Sequence, residues 1–82
     1  MKITLKLYGG LKTYLPANAS KNQAVIQIEE GLNVEQALNN CGIPSAQRHL
    51  VMVNGVYITP EQRTTKVLSQ KDSLAVWPPS TG

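Results

Sequence analysis

The chain has one cysteine, one histidine and one tryptophan in 82 residues. A solitary Cys41 excludes an internal disulfide and a cysteine-based metal site. With a single histidine, His49, and a single cysteine there is no second partner for a Ser-His or Cys-His triad or a zinc site. No apolar run approaches the ~18 residues of a membrane span. The start is not signal-like: Lys2 is the only early charge, and the apolar positions after it alternate with polar ones. With the lone cysteine, this leads us to expect a reducing, cytoplasmic setting and no membrane partner. The charge is modest, +3 at neutral pH, and the basic residues (Lys2, Lys6, Lys12, Lys21, Arg48, Arg63, Lys66, Lys71) are scattered. No basic block with interleaved aromatics speaks for nucleic acid, so the positive residues read as a solvated surface. Low-complexity segments are absent as well, and a chain of this size makes one domain with a small core.

What is present is a sequence of short, well-punctuated elements. Ile3, Leu5 and Leu7 alternate with Lys2, Thr4, Lys6 and Tyr8, which is the period of a half-buried strand. Gly9-Gly10 ends it as a turn; it lacks the pattern of a phosphate-cradling loop. Leu11, Tyr14 and Leu15 have the spacing of a short helical turn that stops before Pro16. Residues 16–22 read as a loop. Ala24-Val25-Ile26-Gln27-Ile28 is a second strand, expected to pair antiparallel with the first, and Glu29-Glu30-Gly31 closes it as a solvated turn. Asn33 with Gln36 forms a capping box. Val34, Ala37, Leu38 and Cys41 then make one apolar helical stripe, with Gly42 and Pro44 as stop signals. Cys41 on that stripe reads as a small buried hydrophobe.

Leu50-Val51-Met52-Val53 is a third strand, and Asn54-Gly55 turns it into Val56-Tyr57-Ile58. Thr59 to Thr65 reads as a polar connection, Val67-Leu68 as a short extended piece, and Ser69 to Asp72 as a turn before the last strand, Leu74-Ala75-Val76-Trp77. His49 falls at a strand start and reads as a loop or edge histidine. Val51, Val53, Tyr57 and the outer side of the last strand are candidate interface positions. The order strand, strand, helix, strand, short strand, strand has one compact solution: an α+β, ubiquitin-like β-grasp. One main helix then lies across a mixed sheet of four to five strands, with the first and last strands parallel in the middle. The expected domain covers 1–77.

Residues 78–82, Pro78-Pro79-Ser80-Thr81-Gly82, are left over as a C-terminal tail. Two prolines remove two backbone donors and fix φ, so the strand cannot continue and a stiff, extended arm is expected. Fully extended, it reaches at most roughly 16–18 Å. By itself such a stretch reads more readily as a frayed terminus, which most domains have. Trp77, beside it, suits either a partner contact or packing at the sheet edge.

The opening Lys2 to Leu15, the Val53-Asn54-Gly55 hairpin and the closing Leu68 to Gly82 together resemble the MoaD/ThiS sulfur-carrier family over the whole chain. The Pro-Pro pair resembles the small subunit of molybdopterin synthase more than the shorter thiamine carrier. Two departures stand out. Lys71 sits where the family usually has glycine before the turn aspartate, from which a minor change of turn geometry is expected. The family ends in Gly-Gly, whereas here Thr81 precedes Gly82, so either Gly82 is the penultimate glycine or Thr81 replaces it.

The resemblance implies a carrier subunit rather than a stand-alone enzyme, with no cofactor or metal of its own. The Gly82 carboxylate is adenylated by ATP, and a persulfide sulfur then displaces AMP to leave a thiocarboxylate. This sulfur goes to molybdopterin. The implied partners are an E1-like adenylating enzyme (MoeB/ThiF-like) and a larger catalytic subunit (MoaE-like). Trp77, Pro78, Pro79, Ser80 and Thr81 are then the partner-binding residues and Gly82 the reactive one. Glycine suits a narrow channel because it lacks a Cβ. The alternatives are a thiamine-type carrier, a ubiquitin-like modifier, and a β-grasp interaction module without sulfur chemistry.

Overall fold

The computed structural model describes residues 1–80. Five strands form one mixed sheet: β1 (Lys2–Leu7), β2 (Gln23–Gln27), β3 (Leu50–Val53), β4 (Val56–Tyr57) and β5 (Ser73–Trp77). Their spatial order is β2-β1-β5-β3-β4. The first and last strands run parallel at the centre, with Leu5 beside Leu74 and Leu7 beside Val76. The other pairings are antiparallel. This is the β-grasp order expected from the sequence.

One α-helix, α1 (Val34–Asn40), lies against the sheet. Its 7 residues are too few to hold a helix in water alone, so its ends and its apolar face must do so. Asn33 Oδ1 accepts from the Gln36 amide at 2.8 Å, and Gln36 Oε1 accepts from the Asn33 amide at 2.9 Å. At the other end Gly42 takes φ +75°, and the Ile43 amide returns to the Leu38 carbonyl. Val34, Ala37 and Leu38 are fully buried against Ile3, Leu5, Leu7, Leu74 and Val76. The Asn54-Gly55 turn has both residues at positive φ, the mirror-image turn that matches strand twist.

The structure departs from the sequence reading in several places. The short helical turn expected over Leu11 to Leu15 is a 3-10 helix that starts earlier, Gly9–Tyr14, a further 3-10 turn, Gln62–Thr64, lies in the stretch read as a polar connection, and another is Ser45–Gln47. Val51 and Val53 are core residues, 0% and 3% exposed, and cannot serve as interface positions. Tyr57 is exposed. Arg48 and Arg63 are buried rather than solvated. Cys41 is half-buried. No helix among the described residues is long and apolar enough to cross a membrane.

Candidate functional site

The tail leaves from the end of β5, and β5 is the middle strand of the sheet. Trp77 therefore does not pack at a sheet edge. Leu74 and Val76 point into the core, so period-two alternation puts Ser73, Ala75 and Trp77 on the face away from α1. On β1, Leu7 is buried and Tyr8 turns to that same outer face. The two rings meet there, stacked at 4.2 Å between centroids and 5° between planes. The chain is fixed on both sides of this stack. The Tyr8 amide donates to the Val76 carbonyl at 3.2 Å, and the His49 amide donates to the Trp77 carbonyl at 3.1 Å. His49 is exposed at the start of β3, and its backbone, not its ring, serves the site.

Pro78 then crosses Gly9. Gly9 has φ +56°, and a Cβ there would stand 3.1 Å from Pro78 Cγ. A glycine meets both demands, the left-handed backbone and the close approach. Pro79 is half-buried and Ser80 exposed. The arm is thus seated at its root and reaches solvent within three residues of Trp77. Of the residues singled out for partner contact, Trp77, Pro78, Pro79 and Ser80 come together here. Thr81, and Gly82, which was expected to be the reactive residue, lie outside the described residues. Tyr8 and Gly9 belong to the root but carried no such signal in the sequence. The alternation placed Tyr8 outward without naming its neighbour, and Gly9 read only as a turn.

No group of three or more metal-ligating side chains is found among the described residues. Burial pushes the Cys41 thiol up, with the Arg48 guanidinium opposing, so at neutral pH the sulfur stays a thiol and a poor nucleophile. Cys41 lines a groove with Tyr14, Pro16, Ile26 and Ile28, between α1 and the β1–β2 side of the sheet. None of the tail-root residues lines it.

The turn before β5 is a second organised region. Asp72 is 9% exposed, and its carboxylate accepts from Asn54 Nδ2 and from the Ser69 amide, both at 2.8 Å. Asn54 Oδ1 in turn accepts from the Ser73 amide at 2.8 Å. Lys71, between them, takes φ +70° and donates its amide to the Lys2 carbonyl. The lysine adopts a left-handed conformation that a glycine takes freely, at a cost in strain.

A search of curated proteins finds no match. Among solved structures, SAMP1 from Haloferax volcanii superposes with a TM-score of 0.68 at 17% identity, covering 100% of this chain and 99% of that one. A chain of the complex of subunits 1 and 2 of the molybdopterin-converting factor from Helicobacter pylori superposes with a TM-score of 0.60 at 13% identity, with the same coverage. At such identities these two likenesses speak for the fold. The family itself comes from the sequence model of the ThiS family, which matches residues 7–82, from the end of β1 through the whole tail. The chain belongs to the ThiS family of ubiquitin-like sulfur carriers.

Proposed function

We propose that this chain carries sulfur as a thiocarboxylate on the Gly82 carboxyl group and delivers it in molybdopterin biosynthesis. The observation that carries the reading is the seated root of the arm. Pro78 lies over Gly9 beside the Tyr8–Trp77 stack, at the end of the middle strand of the sheet. A rigid root and a proline-stiffened arm reduce the entropy lost when a partner threads the tail. The carrier contributes no acid, base or metal. A carboxylate is a poor acyl donor because its leaving group is oxide. An adenylating enzyme of the E1 type supplies AMP as the leaving group, with release of pyrophosphate. A persulfide sulfur displaces AMP to give an acyl disulfide, and a thiol then cleaves the S–S bond, going to a disulfide itself and releasing the thiocarboxylate. Trp77, Pro78, Pro79, Ser80 and Thr81 make the contacts with that enzyme and afterwards with a larger catalytic subunit, both in the cytoplasm. The likeness to a subunit of the molybdopterin-converting factor complex and the Pro-Pro pair support molybdopterin over thiamine.

Intact mass of the protein decides the chemistry. After incubation with an adenylating enzyme of this family, ATP and a sulfur donor, one terminal oxygen is exchanged for sulfur, a gain of about 16 Da by atomic mass. An unchanged mass, in a chain whose native end has been verified, rejects the proposal. Transfer of the labelled sulfur to a pterin precursor rather than to a thiazole separates the two pathways.

A further inference from the structure

The last carbonyl of β5 is held by a single peptide group. Pro78 and Pro79, which follow, carry no amide, and the Trp77 carbonyl accepts from the His49 amide at 3.1 Å. That amide belongs to the Arg48–His49 peptide, whose carbonyl accepts from Arg63 Nη1 at 3.2 Å. One peptide thus stands between a guanidinium and the root of the arm. Arg48, whose ψ sets the orientation of this peptide, has φ −91° and ψ 69°, between the helical and strand regions. It lies after the 3-10 turn Ser45–Gln47 and before β3, so no regular element dictates which way the peptide turns. Its hydrogen bonds do.

The two buried arginines are employed differently. Arg48, 8% exposed, serves the end of α1: it donates to the Ile43 carbonyl and to Asn39 Oδ1, and it pairs with Glu35. Arg63, 7% exposed on the 3-10 turn Gln62–Thr64, makes one side-chain hydrogen bond among the described residues, to the Arg48 carbonyl, and its buried Nε has no acceptor. A guanidinium does not shed its proton, so the charge stays. A buried charge with so few partners is costly, and an apolar side chain of similar length would fill the space without that cost. The one bond shows what the charge does. A carbonyl that accepts from a cation is polarised, and the N–H of the same peptide becomes a stronger donor. That N–H is the one aimed at Trp77. On the other flank of β5, the Tyr8 amide donates to the Val76 carbonyl at 3.2 Å as a plain backbone bond of the β1–β5 pair. The two bonds fall on adjacent residues of one strand.

We propose that Arg63 is a positioning residue for the arm. Its guanidinium orients and polarises the Arg48–His49 peptide, so that the His49 amide holds the Trp77 carbonyl and fixes the direction in which Pro78 leaves the sheet. That the held arm carries sulfur rests on the function proposed above; the hold on Trp77 does not.

The test uses neither an adenylating enzyme nor a sulfur donor, so a failure here is distinct from a failure of sulfur loading. Amide hydrogen exchange is followed by NMR at His49 and at Tyr8 in the full chain, with the global stability of each variant measured in urea. Arg63→Met keeps the length and packing of the side chain without its donors or charge. The expected result is a loss of His49 protection about tenfold greater than any loss at Tyr8. The Ser80 amide, the first past the prolines, should gain mobility in nitrogen relaxation. Arg63→Lys keeps a donor and the charge, and His49 protection should return to within about twofold of the native chain. A purely structural arginine would lower His49 and Tyr8 together, and that outcome overturns the proposal. So does Arg63→Lys behaving like Arg63→Met. The unmodified protein supplies a reading that no folding defect obscures: scalar couplings across hydrogen bonds, from the His49 nitrogen to the Trp77 carbonyl carbon and from Arg63 Nη1 to the Arg48 carbonyl carbon. Both are expected, and absence of the second overturns the proposal.

Discussion

The two ends of β5 are held by opposite means. At its start, Asp72 and Asn54 tie the preceding turn to the β3–β4 hairpin through charged and amide hydrogen bonds, with two residues, Lys71 and Asn54, in the left-handed region. At its end no side-chain hydrogen bonds are found among the described residues: backbone hydrogen bonds from Tyr8 and His49, an aromatic stack and a proline over a glycine do the holding. The first arrangement closes the fold, because every donor it brings in finds an acceptor. The second lets the chain out, because apolar contacts fix Trp77 and Pro78 while the prolines offer no amide to continue the sheet. One strand thus serves as the anchor of a small core at one end and as the base of an arm at the other.

The largest separation of the two ends comes from removing residues 80–82. Sulfur loading should vanish completely by intact mass. Stability in urea should change by no more than about 0.5 kcal/mol, the range of exposed substitutions away from packing. A marked loss of stability would mean that the tail supports the fold and that the arm is not independent of it. The reverse break is Asp72→Ala, at the polar end. It leaves Asn54 Nδ2 and the Ser69 amide without their acceptor, and a cost of about 2–3 kcal/mol is expected, with loading retained in the folded fraction. A cost below about 1 kcal/mol would show that water replaces the carboxylate at that turn.

Most of this architecture is legible in the sequence because its signals are local. The capping box at Asn33 and Gln36, the Gly42 stop, the Asn54-Gly55 turn and the alternation of β1 each depend on residues within a few positions, and each is where the spacing puts it. Failures come where the deciding neighbour is distant or the pattern is degenerate. In β3 all four residues are apolar, so alternation gives two faces but not which is inside, and Val51 and Val53 were open to the wrong assignment. Arg63 sits in a polar stretch, and nothing nearby signals that its guanidinium turns inward to a carbonyl 15 positions away. The Tyr8–Trp77 stack joins the end of the first strand to the end of the last. Only parallel pairing of β1 with β5 brings those rings together.

A smaller effect probes the apolar end directly. Gly9→Ala forces a Cβ into a left-handed residue and toward Pro78, and about 1–2 kcal/mol of destabilisation is expected. Trp77 is the sole tryptophan, so its fluorescence reports whether the indole shifts on Tyr8. Gly10→Ala is the matched comparison. Its Cβ meets nothing within 4 Å and its φ is not left-handed, so neither stability nor emission should move appreciably. Equal effects at the two glycines would remove Gly9 from the tail root.

The smallest effect sharpens the polar end, where two left-handed residues stand under different obligations. Asn54, at φ 52°, uses its side chain twice, giving to Asp72 and accepting from Ser73. Lys71, at φ 70°, contributes only a backbone amide, which any residue supplies, and its side chain is exposed. Replacing Lys71 by glycine relieves about 1–2 kcal/mol of strain, replacing Asn54 relieves less because asparagine tolerates the left-handed region, and both incur a greater freedom of the unfolded chain, about 0.5–1 kcal/mol. Lys71→Gly should therefore gain about 0.5–1 kcal/mol in urea denaturation, whereas Asn54→Gly should lose stability because two hydrogen bonds go with the side chain. Lys71→Ala keeps the strain and should be neutral. If Lys71→Gly were destabilising instead, the left-handed conformation at that turn would not be the source of strain, and the family's glycine there would need another reason.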